Sequence, residues 1–139
     1  MDEEDEITIM PFDNLVITDK EISEFDAVVI SDYGKGFLSE ADISRICSNN
    51  KNTFLDTKKC PSSWCKDVAY IKINSPEYDA IKSRINSQDW VNKLIVTLGD
   101  RGCMMMKEKG FTYYPVEKVD VFDLCGAGDS FLAALVSKY

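Results

Sequence analysis

The chain has 139 residues, 45% of them hydrophobic and 29% charged, with a formal net charge of −8; this is the size and balance of one domain able to bury its own core. Negative charge with no long run of Lys or Arg repels phosphate backbones and argues against a nucleic-acid partner, whereas a small phosphate ligand needs only local donors. Histidine is absent, which removes Ser-His-Asp and Cys-His catalysis and leaves acid–base chemistry to Asp, Glu, Lys, Cys or Tyr.

Further exclusions follow from the termini and the cysteines. The apolar runs at 27–30 and 94–96 are far shorter than the ~20 residues that cross a bilayer, so no membrane segment is expected. The first six residues are acidic after Met1, where a secretory or mitochondrial leader would be basic, and a cytoplasmic location is expected. Cys47, Cys60, Cys65, Cys103 and Cys125 are odd in number and include no C-x-x-C pair, so they read as reduced, mostly buried thiols and not as a zinc set.

In chain order, residues 7–12 alternate weakly and read as an edge strand, and 19–25 as a short helical turn. Residues 26–32 form a continuous apolar run that suits a parallel strand buried on both faces. A loop at 33–36 follows, and Ser39 with Asp42 makes a capping box for a helix ending near Asn49 and Asn50. Residues 52–56 and 69–73 are the next strands. Ser75 is expected to cap, and Pro76 to open, a helix reaching about Ile85. Residues 93–98 are a fourth strand closed by Gly99-Asp100-Arg101-Gly102. Shorter strands at 103–107, 111–115 and 119–122 follow, and a last helix starts by Asp129. This strand–helix alternation predicts an α/β fold with a mainly parallel sheet and helices on both faces, in one domain spanning 1–139 with an ill-defined start at 1–25. Ligands of such sheets collect beyond the carboxyl ends of the strands.

The stretch Asp123-Leu124-Cys125-Gly126-Ala127-Gly128-Asp129-Ser130-Phe131 carries the sharpest chemistry. Two glycines permit a tight turn close to a ligand, a helix starting there offers free N–H groups to an anion, and Asp129 sets a carboxylate beside it. Taken alone, the same residues make an ordinary glycine-rich turn with an aspartate cap. A phosphate loop of the G-x-x-x-x-G-K-[ST] type is absent, and Phe131 stands where a dinucleotide fingerprint requires Gly or Ala.

Gly126-Ala127-Gly128-Asp129, with Asp123 before it and Phe131 after, closely resembles the second signature of the ribokinase-like (PfkB-type) carbohydrate kinases. The resemblance implies that Gly126, Ala127 and Gly128 form the anion hole for the transferred phosphoryl group, and that Asp129 is the catalytic base. Thr97-Leu98-Gly99-Asp100-Arg101-Gly102 is similar to the family's T-x-G-x-x-G segment, which makes Thr97, Gly99, Arg101 and Gly102 the expected contacts to the phosphates of ATP. Asn74-Ser75-Pro76-Glu77 resembles its N-x-x-E motif, which implies that Asn74 and Glu77 hold Mg²⁺ through water. Ser31-Asp32-Tyr33-Gly34-Lys35-Gly36 and Asp56-Thr57-Lys58 look most like the sugar-phosphate side of heptose-7-phosphate kinases, with Asp32, Lys35 and Lys58 as substrate contacts.

The chain departs from that pattern in places. Leu124 stands where the family usually has Thr, and Thr57 where the heptose kinases have Pro. Members are also longer, so the resemblance implies a partial domain lacking the sugar lid and the adenine-pocket segments, with an uncovered sheet edge. Three readings follow: an ATP-dependent sugar kinase acting on a heptose-phosphate-like substrate, an inactive remnant or phosphate-binding module of the same fold, and a homo-oligomer whose partner chain supplies the lid.

Overall fold

The computed structural model describes residues 16–116, which form a six-stranded sheet with its helices. The strands are β1 (Val28–Asp32), β2 (Thr53–Thr57), β3 (Tyr70–Asn74), β4 (Leu94–Thr97), β5 (Cys103–Lys107) and β6 (Gly110–Tyr114); the helices are α1 (Asp19–Glu24), α2 (Glu40–Asn49) and α3 (Ser75–Ile81). Sheet order follows chain order, with β1 to β4 parallel and β5 and β6 added antiparallel. The expected strands at 7–12 and 119–122, the turn at 126–128 and the helix from Asp129 lie outside the described residues.

Each helix begins with a reciprocal capping box: Thr18 with Glu21, Ser39 with Asp42, and Asn74 with Glu77. In each, a side-chain oxygen accepts an otherwise unpaired N–H of the first turn, and an acidic side chain returns to the cap residue's own N–H. The third box corrects the expected cap. Asn74, not Ser75, is the cap residue, because β3 runs into the helix without a spacer and the Asn74 amide oxygen is already placed to accept from Glu77. The helix ends at Ile81, short of the expected Ile85. The chain turns tightly there, with Arg84 N–H donating to the Ile81 carbonyl, and goes on to bury Trp90 from a 3₁₀ turn at Ser87–Trp90.

Because the sheet grows in one direction, right-handed crossovers put the connections between the parallel strands β1 to β4 on the same face. One core cluster accordingly joins Ile30, Leu55, Ile71, Ile73, Leu94 and Val96 of the strands to Ile43, Ile46, Cys65, Ile81 and Trp90 of the connections, with Ile22 of α1 added from before β1. The mainly parallel α/β architecture is the expected one, and the described helices share that single face. Asn50, buried just past α2, donates its amide to the carbonyls of Ile22 and Phe25, tying the end of α1 to the core.

Strand β1 corrects a second expectation. Ile30 and Asp32 are buried, but Val29 is 48% exposed and Ser31 is exposed, so the strand is covered on one face only. Among the described residues it is the sheet edge, and an edge strand with a continuous apolar run cannot be told from a central one by pattern alone. Phe25 and Phe37 beside it are exposed as well.

Candidate active site

The register brings the sequence motifs together. Asp32 is level with Thr57 across β1 and β2, and Asn74 with Thr97 across β3 and β4. The expected sugar-side, metal-side and nucleotide-side segments therefore emerge side by side from the carboxyl ends of four parallel strands, where such sheets hold ligands.

At the β1 and β2 end, Asp32 is the centre of a closed set of donors. Its Oδ2 accepts from the Thr57 hydroxyl at 2.8 Å and from Lys59 Nζ at 2.6 Å, and its Oδ1 accepts from Gly34 N–H at 3.0 Å. The Thr57 hydroxyl accepts in turn from the Lys59 backbone N–H at 3.0 Å. Burial alone would raise the Asp32 pKa; the Lys59, Gly34 and Thr57 hydrogen bonds outweigh it and hold the carboxyl below its usual value. Asp32 thus fixes the start of the loop 33–36. Lys59 was not among the expected contacts, although alternation puts residues 57 and 59 on one side of an extended strand and residue 58 on the other.

Lys58 takes the other direction. Its ammonium pairs with Glu77 Oε1, and its stem lies against Gly34, where an added Cβ would meet Lys58 Cβ at 3.4 Å. The hydrogen bond to Glu77 raises the Lys58 pKa above the ordinary lysine value. Glu77 Oε2 accepts from the Asn74 N–H, and Glu77 N–H donates to Asn74 Oδ1, both at 2.8 Å. Lys35 is exposed within its loop.

The segment expected on the nucleotide side is a 3₁₀ turn, Gly99–Arg101, set at the end of β4. Thr97 donates to the Ile73 carbonyl at 3.3 Å, Leu98 N–H to the Gly102 carbonyl at 2.8 Å, and the Tyr113 hydroxyl to the Arg101 carbonyl. Gly102 has φ +98°, and an added Cβ would lie 2.1 Å from the Tyr114 carbonyl oxygen. Only glycine fits there, because a side chain would have to displace β6 backbone. The β5–β6 hairpin thereby braces the turn that carries Arg101, whose side chain is exposed.

A buried lysine and a largely covered aspartate sit just beneath this rim on the sheet face away from the helices. Lys72 Nζ reaches Asp56 Oδ2 at 3.2 Å, with side-chain exposures of 7% and 13%. Sequence pattern offered no sign of Lys72, because a lysine inside an apolar strand looks like a solvent-facing residue until the sheet packs around it. Burial pushes the Cys47 thiol up to about 12 and Cys65 up to about 11, so neither is a nucleophile near neutral pH. Cys60 and Cys103 are half-buried, and Cys125 lies outside the described residues.

Among the described residues no three Asp, Glu, Cys or His side chains converge as a metal cage. Asn74 and Glu77 offer oxygen donors only, with one carboxylate between them. That set suits Mg²⁺, which keeps several waters and takes few protein ligands beside its phosphates, and does not suit zinc. Asp129, Gly126, Ala127 and Gly128 are outside the described residues.

The sequence pattern of the pfkB family carbohydrate kinases matches residues 2–139. The chain is 30% identical to the bifunctional protein HldE of Campylobacter jejuni strain RM1221 over 154 aligned positions, covering 97% of this chain and 33% of that protein. It is 33% identical to the HldE protein of Campylobacter curvus over 132 positions, covering 82% of this chain and 28% of that one. Hence it spans about a third of the length of these curated relatives. Among solved structures, a ribokinase from Thermotoga maritima superposes with a TM-score of 0.62 at 19% identity, over 88% of this chain and 46% of that one. A phosphofructokinase-2 mutant from Escherichia coli superposes with a TM-score of 0.61 at 16% identity, over 86% and 47%. Both likenesses concern the fold.

Proposed function

The chain belongs to the pfkB family of carbohydrate kinases, and from that membership we propose that it acts in the transfer of the γ-phosphoryl group of ATP to a hydroxyl of a phosphorylated sugar of the heptose-phosphate type. The observation that carries this reading is the register that sets Asp32, Thr57, Asn74 and Thr97 at one rim. The resemblance of the loop 31–36 and of Lys58 to the sugar-phosphate side of heptose-7-phosphate kinases supports the choice of sugar.

In this reading Asp129 takes the proton from the attacking sugar hydroxyl, and the backbone N–H groups of Gly126, Ala127 and Gly128 receive the charge that spreads over the phosphoryl oxygens. Thr97, Gly99, Arg101 and Gly102 line the nucleotide phosphates, with Arg101 as the cation. Asn74 and Glu77 hold the water shell of Mg²⁺, which when bound neutralises charge on the nucleotide phosphates. Lys35 and Lys58 serve the sugar's own phosphate, and the closed Asp32 node keeps their loops in register. The activity belongs with a cytoplasmic location.

Steady-state release of ADP from Mg·ATP, measured with a heptose 7-phosphate, ribose and fructose 6-phosphate in parallel, tests the assignment. Turnover is expected with the heptose phosphate above the other two. Preference for an unphosphorylated sugar contradicts the roles of Lys35 and Lys58. Leu124, which removes a hydroxyl from the glycine turn, favours a second reading as a phosphate-binding module without turnover. That reading predicts nucleotide binding by calorimetry and no ADP release with any of the three sugars.

A further inference from the structure

Glu77 has two carboxylate oxygens, and both are taken. Oε2 is committed to the Asn74 N–H in the capping box, which leaves Oε1 as the oxygen that can face outward, and Oε1 is the one that Lys58 holds. Lys58 comes from the β2 end, its stem rests on Gly34 of the sugar-side loop, and 48% of its side chain is exposed. Its neighbour Lys59 is only 23% exposed and is bound into the Asp32 node. Lys58 therefore spans two subsites and is free to leave one of them, whereas Lys59 is fixed.

We propose that Lys58 is an exchangeable latch: its ammonium occupies the Glu77 oxygen needed by the water shell of a nucleotide-bound Mg²⁺, and arrival of the metal releases Lys58 toward the loop around Gly34, where a sugar phosphate would meet it. The proposal rests on the kinase reading above. An ammonium and a hydrated dication compete for one oxygen because each is satisfied by the same lone pairs, and a pair whose cation is 48% and whose carboxylate is 21% exposed keeps water at hand to replace either partner on exchange. The displaced cation then faces the sugar side only when the nucleotide side is filled, which orders the two binding events.

The test is calorimetric binding of the non-transferable analogue AMP-PNP to the full chain, with Mg²⁺ and with EDTA, for the unaltered protein, Lys58→Met, Glu77→Gln and the double variant. Glutamine can still close a capping box, so Glu77→Gln retains the start of α3. Lys58→Met is expected to tighten the Mg²⁺-dependent binding about two- to fivefold, the range an exposed ion pair commands, and to leave binding in EDTA unchanged. In the Glu77→Gln background the same substitution is expected to have no effect, because the shared oxygen is gone. Weaker binding by Lys58→Met, with or without metal, makes Lys58 a direct nucleotide contact and overturns the latch while the kinase reading stands. Equal affinity of Lys58→Met and the unaltered protein for Mg·AMP-PNP also overturns it. Absence of nucleotide binding in every protein and condition removes the kinase reading, and the latch with it.

Discussion

Lys58 and Lys59 are neighbours in sequence, yet they belong to two regions of the rim built on different principles. The Asp32 node is buried and saturated: three groups donate to one carboxylate whose side chain is 3% exposed. The Glu77 node is more open, its cation 48% and its carboxylate 21% exposed against 23% and 3% in the first, and its carboxylate is shared between a helix cap and a lysine. Coulomb attraction acts in both, and burial decides which of them stabilises the fold. A buried charge stripped of its partner pays a desolvation cost that water removes at an exposed pair. The first node serves as scaffold, and the second is the one to which the proposed latch assigns a response to ligand.

Substitutions that separate these roles should differ in size. Asp32→Ala leaves Lys59 and Thr57 without their acceptor and is expected to lower stability by about 3 kcal/mol in urea unfolding. Lys59→Met leaves the Asp32 carboxylate with Thr57 and Gly34 only, at an expected cost of about 2 kcal/mol by the same measurement. Acid should weaken this node. The folded pKa of Asp32 lies below its unfolded value, so the stability it contributes is present above about pH 4 and is lost as pH falls through the folded value. Unfolding measured from pH 5 downward should therefore show the unaltered protein losing more stability than Asp32→Asn. Lys58→Met should be the mildest change, within about 0.5 kcal/mol at neutral pH. A Lys58→Met cost equal to that of Lys59→Met would erase the distinction between the two regions.

Much of the scaffold was legible in the sequence. β1 to β4 are short apolar runs between turn signals, and the Ser39 and Asp42 box announced α2. What pattern alone left open came from neighbours. Val29 is exposed because β1 lies at the edge of the described sheet, and strand order is a tertiary fact. Asn74 displaced Ser75 as the cap because both residue types cap well and the choice depended on where β3 ends. At the rim, Asp32, Lys58, Asn74, Glu77 and Thr97 were all picked out by their motifs, but their partners were not. Lys59 could have been found by carrying the strand's two-residue period past Thr57 to the Asp32 side. Lys72 could not, because nothing in an alternating strand marks which lysine will be enclosed.

Phosphoryl transfer with Asp129 as the proposed base is tested most directly by comparing Asp129→Asn with the unaltered chain in two readouts: ADP release with a heptose 7-phosphate, and calorimetric binding of Mg·AMP-PNP. Loss of a positioned general base predicts a fall in turnover of about 10²- to 10⁴-fold, with nucleotide affinity kept within about threefold. Turnover of Asp129→Asn equal to that of the unaltered protein would contradict the claim.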